Sequence, residues 1–348
     1  MTETPRHLRL LVVRLGAMGD ILHSMPAVTA LRQAHPEWVI GWAIEPQWRG
    51  LFCADGCEPR TESMPLVDQI HIVPAKQWAK APLSPATWHD MLRVRKELRA
   101  MHYDIAVEMQ GAVRAAVVAR WARAQRIVGE AKPRETPARW FFDEKVPTRG
   151  VHVIEQSLEV ANAICDEQLP MPMPLLPCDP AADANAGELP QPFVLLSPGA
   201  GWGAKRWPAD RYGEVARRLA DQGYTVVINV GPAEEYLGRE IMVSSGGAAR
   251  MLVPSMAELV AVTRRAALAI AGDTGPLHLA SALGRPVVGI YGPTDPARNG
   301  PFHCPSRVLR HPESVRDHAR RSEPEAGLLT ITPEDVTRAA LELLREAH

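Results

Sequence analysis

Apolar and polar positions along this chain follow two periods that take turns. Short apolar, β-branched runs at 10–13, 39–44, 69–73, 105–108 and 125–128 predict strands, and the segments 88–101 and 111–124 between them carry helical spacing. Strand alternating with helix requires crossover connections and therefore a parallel sheet. The pattern lapses into Pro-rich, charged sequence over 131–149 and resumes as a helix over 153–165. From 168 to 191, Pro, Ala and Asp accumulate without a period, which predicts a linker. Beyond it the alternation restarts, with strands at 194–196, 225–230, 268–271 and 287–291. Helices are expected at 208–222, stopped by Gly223, at 233–244 and near 276–283. Capping-box spacing in Ser255-Met256-Ala257-Glu258 opens another helix, which runs to Arg265, and Thr332 with Pro333 opens a last one. Two α/β parallel sheets joined by a linker imply a cleft between them.

Composition narrows the class. A chain of 348 residues, 46% hydrophobic and 23% charged, is long for one domain and suits two. No run approaches the ~20 apolar residues of a membrane span, and the start of the chain, with Glu3 and an arginine interrupting its apolar run, lacks the layout of a signal peptide. The expectation is a soluble cytoplasmic protein. The five cysteines, Cys53, Cys57, Cys165, Cys178 and Cys304, are odd in number and scattered, which suits a reducing compartment. Cys53 and Cys57 have no second ligand pair nearby, so no metal site is expected.

Charge changes the picture more. The net charge of -1 hides a basic first part: residues 1–150 hold 21 Lys and Arg against 16 Asp and Glu. Thirteen of those cations lie between Arg93 and Arg149. Such a stretch is either a solvated basic face or the contact for an anionic partner, a membrane surface or an acidic acceptor. No nucleic-acid module is legible, and none is expected as a partner.

Candidate chemistry gathers where strands end. The first strand breaks at Gly16 and Gly19 and delivers Asp20 to the start of a helix, with His23 three residues on. Gly16-Ala17-Met18-Gly19 is neither the dinucleotide fingerprint nor a Walker loop. Asp20 is then either a helix-capping residue or a general base for a hydroxyl. In the second half, three glycine-bearing loops follow strands: Ser197 to Pro208 with Lys205 and Arg206, Val230 to Glu235, and Gly272 to His278. Each alone is an ordinary α/β turn, and Asp273 alone is readable as a cap. Three at one sheet edge, one of them basic and one opening a helix, suit a nucleotide diphosphate.

Several of these stretches together resemble a known family. Arg14-Leu-Gly-Ala-Met-Gly-Asp-Ile-Leu-His-Ser-Met-Pro-Ala27, Glu108-Met-Gln-Gly111, Ser197-Pro-Gly-Ala200 with Lys205-Arg-Trp-Pro208, and Gly272-Asp-Thr-Gly-Pro-Leu-His-Leu-Ala280 are similar to the heptosyltransferases of lipopolysaccharide core synthesis, glycosyltransferase family 9. The resemblance implies a GT-B fold, with two Rossmann-like, doubly wound parallel-sheet domains. These are an acceptor domain over 1–180 and a donor domain over 181–348, with the last helix free to pack back on the first. It implies inverting, metal-independent transfer of heptose from ADP-heptose to an anionic, Kdo-containing inner-core acceptor, with no cofactor, at the cytoplasmic side of the inner membrane and in peripheral contact with it.

By motif, Asp20 matches the base, and Lys205 the lysine at the donor phosphates. Asp273, Thr274, Gly275 and His278 match the donor loop, and Glu234 the acid at the nucleotide ribose, with Glu235 one register away. Arg14, His23, Gln110, Arg114 and Arg134 are candidates for the acceptor. The chain departs from the common pattern over 74–87, 131–150 and 166–191. Other readings of the same fold are a transferase or epimerase that uses another nucleotide sugar, and a non-catalytic nucleotide- or glycan-binding protein.

Overall fold

In the computed structural model, residues 7–314 and 321–346 are described; Glu3 lies outside them. The chain divides into two compact units, Met1–Cys178 and Asp179–His348, a boundary two residues before the expected one.

The first unit is built on strands β1 (Arg9–Val13), β2 (Val39–Ile44), β3 (Gln69–Ile72), β4 (Ile105–Glu108), β5 (Arg126–Glu130) and β6 (Glu144–Val146). They lie in the order β3-β2-β1-β4-β5-β6, every neighbouring pair parallel. A parallel sheet is covered by helices on both faces, so its central strands are apolar throughout rather than alternating. Leu10, Leu11, Val12 and Val13 are all fully buried. Leu11 and Val13 meet Val94 and Leu98 of helix Pro85–Ala100 and Ala115 and Ala119 of helix Val113–Trp121. Leu10 and Val12 point to the opposite face.

The second unit repeats the plan with β7 (Phe193–Ser197), β8 (Thr225–Asn229), β9 (Ala249–Leu252), β10 (Leu268–Gly272), β11 (Val287–Tyr291) and β12 (Ser306–Arg310). The order is β12-β11-β10-β7-β8-β9, again all parallel. One face packs Val194, Leu196, Ile228 and Ile270 against Tyr212, Val215 and Leu219. The other packs Leu195, Val227 and Ala269 against Ala261, Leu277 and Ala280.

Four expectations change. The supposed linker contains helix Pro180–Gly187, capped by Asp179, whose Oδ1 accepts the amides of Ala181 and Ala182 at 3.0 Å. It is short, and only Ala182, Ala186 and the following Leu189 enter the core, so no apolar period marked it. The last helix, Pro333–Glu346, spends its apolar face on its own unit, where Val336, Ala340, Leu343 and Leu344 complete the core around Val215 and Leu219. Strands β6, β9 and β12 all lie at or near sheet edges, and their residues are too exposed to read as apolar runs. Finally, Cys53 and Cys57 form a disulfide with Cα atoms 5.7 Å apart, which the reading of reduced, scattered cysteines did not anticipate; Cys165, Cys178 and Cys304 are free.

In each sheet the connections run outward in opposite directions from a central pair, β1/β4 in the first and β7/β10 in the second. Loops leaving the carboxyl ends of such a pair diverge and open a crevice, the usual ligand site in this architecture. Among the described residues, no helix is long and apolar enough to cross a membrane.

Candidate active site

At the β1/β4 edge of the first unit, the chain leaves β1 through Arg14 to Ala17 and enters helix Met18–Ala34. Asp20 stands in the first turn. Its Oδ2 accepts the Ala17 amide at 3.2 Å, so it does cap the helix, and its Oδ1 meets Arg14 Nη2 at 3.1 Å. The side chain of Asp20 remains 41% exposed while that of Arg14 is 13% exposed. A carboxylate held on one side by an amide and a guanidinium, and open to solvent on the other, is oriented yet accessible. Both roles weighed for Asp20 are therefore compatible.

The β4 loop is tied to this one. Gln110 Oε1 accepts the Leu15 amide at 2.9 Å, joining the two loops directly. Glu108 lies beneath. Its carboxylate accepts the amides of Gln110 and Gly111, each at 2.9 Å, and faces the Ala112 amide at 3.5 Å. Gly111 takes a left-handed φ of 64°, and a Cβ there would stand 2.7 Å from the Arg134 backbone nitrogen, so glycine is required for the loop to turn in this way. Burial raises the Glu108 pKa to about 7, against the pull of these amides and of Arg14.

The other acceptor candidates are dispersed around this pair. Arg114 is exposed near the start of helix Val113–Trp121, and its charge acts on buried Glu45, a carboxyl raised by desolvation and hydrogen-bonded to the Lys76 amide at 3.1 Å. Arg134 is exposed and pairs with Glu135 at 3.4 Å. His23 is buried, with its ring edge-on to His152 at a centroid distance of 5.6 Å.

At the β7/β10 edge of the second unit, the basic loop and the helix-opening loop meet. Lys205 Nζ forms an ion pair with Asp273 Oδ2, while Asp273 Oδ1 meets His278 Nε2 and accepts from Asn299 Nδ2, each at 3.0 Å. Burial alone would raise the Asp273 pKa, but the hydrogen bond and charge of His278, together with Lys205, hold it well below the usual carboxylate range. A buried, fully engaged carboxylate is a poor direct partner for phosphate. Asp273 instead fixes three other side chains, among them the Lys205 ammonium, which also sits 4.4 Å from the Trp202 ring centroid.

Thr274 and Gly275 open helix Gly275–Ala282, where unpaired amides and the helix dipole favour an anion. Glu234 crosses to the β7 loop and lies against Gly199, whereas Glu235 pairs with Arg239 on its own helix at 3.2 Å. Of the two, Glu234 is the one that lies against the β7 loop. Segment 321–325 backs the basic loop: Ala204 N donates to Arg321 O at 3.1 Å and Glu325 N to Ala204 O at 3.2 Å.

Sequence reasoning did not assign Glu108, Glu45 or Asn299 a role. Glu108 was visible as one carboxylate ending an otherwise apolar strand; Asn299 gave no signal, because it reaches Asp273 from a separate short helix, Pro296–Asn299. Among the described residues, no three His, Cys, Asp or Glu side chains cluster as a metal site would require.

Relatives agree with the geometry. The sequence model of the glycosyltransferase family 9 (heptosyltransferase) domain matches residues 91–327. Lipopolysaccharide heptosyltransferase 1 of Escherichia coli (strain K12) is 29% identical over 327 residues, which is 88% of this chain and 94% of that protein. The Pseudomonas aeruginosa protein of the same name is 27% identical over 308 residues, 85% of this chain and 81% of that one. Among solved structures, E. coli heptosyltransferase WaaC with ADP superposes with a TM-score of 0.79 at 25% identity, covering 97% of this chain and 100% of that one. A family 9 glycosyltransferase from Veillonella parvula gives a TM-score of 0.80 at 21% identity, with 99% of each chain covered, a likeness of fold. The family match spans more than half of the chain, and the chain belongs to glycosyltransferase family 9, the heptosyltransferases: it is a glycosyltransferase of GT-B type.

Proposed function

We propose that the protein transfers heptose from ADP-heptose to a hydroxyl of a Kdo-containing, lipid A-linked inner-core acceptor, with inversion and without a metal. The reading gives the acceptor to the first unit and the donor to the second. Asp20 takes the proton of the acceptor hydroxyl as it attacks the anomeric carbon. The sugar passes through an oxocarbenium-like state, and the diphosphate leaves with growing negative charge. Lys205 and the amides at the start of helix Gly275–Ala282 meet that charge, and because they are fixed beforehand they need little reorganisation as it develops. Glu234 would hold the ribose hydroxyls.

One observation carries the donor half: Lys205 is held at the end of β10 by a carboxylate that is itself locked by His278 and Asn299. The names of relatives support the sugar and the acceptor, since the E. coli and P. aeruginosa proteins are lipopolysaccharide heptosyltransferases and WaaC has been solved with ADP and with ADP-2-deoxy-2-fluoro heptose. The test is a transfer assay offering ADP-heptose with acceptors truncated before and after the first heptose, alongside thermal shifts with ADP, UDP and GDP. Transfer to one acceptor and selective stabilisation by ADP are expected; preference for UDP would refute the donor assignment.

A further inference from the structure

Thr294 is a buried side chain whose hydrogen bonding is incomplete. It is 5% exposed, and among the described residues its Oγ1 has no partner. A hydroxyl removed from water and left unpaired is costly, so folded proteins keep few of them, and each that persists has a reason.

The loop that carries Thr294 runs from β11 into helix Pro296–Asn299 and is fixed at both ends. At its start, Gly292 O accepts Arg310 Nε at 3.2 Å, and Gly292 lies against Glu325 and Leu328. At its end, Asp295 Oδ1 caps the short helix through the Ala297 amide at 3.0 Å, and Asn299 Nδ2 reaches Asp273 Oδ1 at the same distance. The second anchor is therefore the carboxylate that also holds Lys205. A hydroxyl held in this way needs little reorganisation to meet a ligand.

Sheet order suggests which part of a donor it meets. β11 lies beside β10, on the side away from β7 and β8. In the proposed function Glu234, after β8, holds the ribose, while Lys205 and the amides opening helix Gly275–Ala282 meet the diphosphate at β7 and β10. A donor laid across these strand ends in the order ribose, phosphates, sugar puts its sugar at β11. From β8 to β11 is three strand spacings, roughly 14 Å, a span suited to two phosphates with a sugar ring at each end.

We infer that Thr294 binds the transferred sugar, its Oγ1 sharing a hydrogen bond with a ring hydroxyl of the nucleotide sugar. Such a contact presupposes the proposed function and adds to it a residue for the sugar itself. A threonine hydroxyl both donates and accepts, as a sugar hydroxyl does, and can serve either way.

The test compares the donor with and without its sugar. Dissociation constants for ADP and ADP-heptose are measured by calorimetry, without acceptor, on the wild type, Thr294→Val and Thr294→Ser, together with the donor KM in transfer and the melting temperature of each ligand-free protein. Thr294→Val should weaken ADP-heptose about five- to tenfold, raise its KM to match, and leave ADP within about twofold. Thr294→Ser, which keeps the hydroxyl, should retain most of the wild-type affinity. Ligand-free Thr294→Val should melt no lower than wild type, because it loses an unpaired polar group and no bond. Equal weakening of ADP and ADP-heptose would give the hydroxyl to the phosphates and overturn the sugar contact. A lower melting temperature with unchanged ADP-heptose affinity would make its role structural and overturn it too. Wild-type protein that neither binds nor transfers from ADP-heptose would sink the proposed function and this contact together; wild-type transfer that survives Thr294→Val unchanged would sink the contact alone.

Discussion

Glu234 rests on Gly199 so closely that a Cβ at position 199 would stand 2.2 Å from the carboxylate Oε2. Such a contact admits no side chain at 199 unless Glu234 moves. Gly199→Ala is therefore expected to act on the donor through Glu234, raising the KM for nucleotide sugar several-fold with little change in kcat. Glu234→Ala should give the same phenotype, and Glu235→Ala, which loses only an exposed pair with Arg239, should not. Steady-state kinetics on the three variants separate these outcomes; a larger effect from Glu235→Ala would return the ribose contact to that residue.

Asp273 contributes stability with a defined pH dependence. Its folded-state pKa is depressed below the ordinary 3.8, so the unfolded chain binds the proton more tightly than the folded one. The stabilisation is complete above 3.8 and is lost as pH falls below it. Asp273→Asn should melt lower at pH 7, since Lys205 is left buried without its carboxylate, a loss of about 3 kcal/mol. It should also lack the wild type's steep decline below pH 4. Melting temperatures measured from pH 3 to 7 test both points, and parallel curves for the two proteins would contradict them. Affinity for ADP should fall about tenfold as Lys205 loses its anchor.

Asp20 caps its helix and also faces solvent, and the two roles separate on substitution. Asp20→Asn keeps a side-chain oxygen for the Ala17 amide but cannot act as a base near neutral pH. Transfer should fall by about 10²- to 10⁴-fold, the range for removing a general base, while ADP affinity stays within about threefold. Turnover near the wild-type rate would assign Asp20 to capping alone.

The parts of this molecule that were legible in the sequence are those where burial writes a pattern. Strands β4, β7, β10 and β11 are buried throughout, as is β1 beyond Arg9, and they appear as apolar runs. Strand β9, with exposed Arg250, and β12, with no buried residue, do not. The site divides in the same way. Asp20, Lys205 and Asp273 stand beside glycine breaks after strands and could be named from position. The link from Gln110 to Leu15, and the reach of Asn299 to Asp273, join residues 95 and 26 positions apart and have no local signature.

Glu108 weakens the fold in a way that titration exposes. In the unfolded chain it ionises near 4.5, whereas the folded protein holds the proton to about 7 because the group is buried. Between those values the folded state carries more bound proton, so stability falls as pH rises from 4.5 to 7 and changes no further above that. The interval is worth about 3 kcal/mol. Glu108→Gln cannot titrate. Its stability relative to wild type should therefore improve by about 3 kcal/mol across the same window, whatever its absolute value at either end. Urea unfolding of both proteins at intervals from pH 4.5 to 8 measures the difference directly, and a constant difference would mean that Glu108 does not titrate there. The same substitution should slow transfer about tenfold at pH 8. A carboxylate can accept both the Gln110 and Gly111 amides, whereas an amide side chain must turn its own N–H groups toward one of them. That loosens the loop from which Gln110 holds Leu15 and, through it, the approach to Asp20.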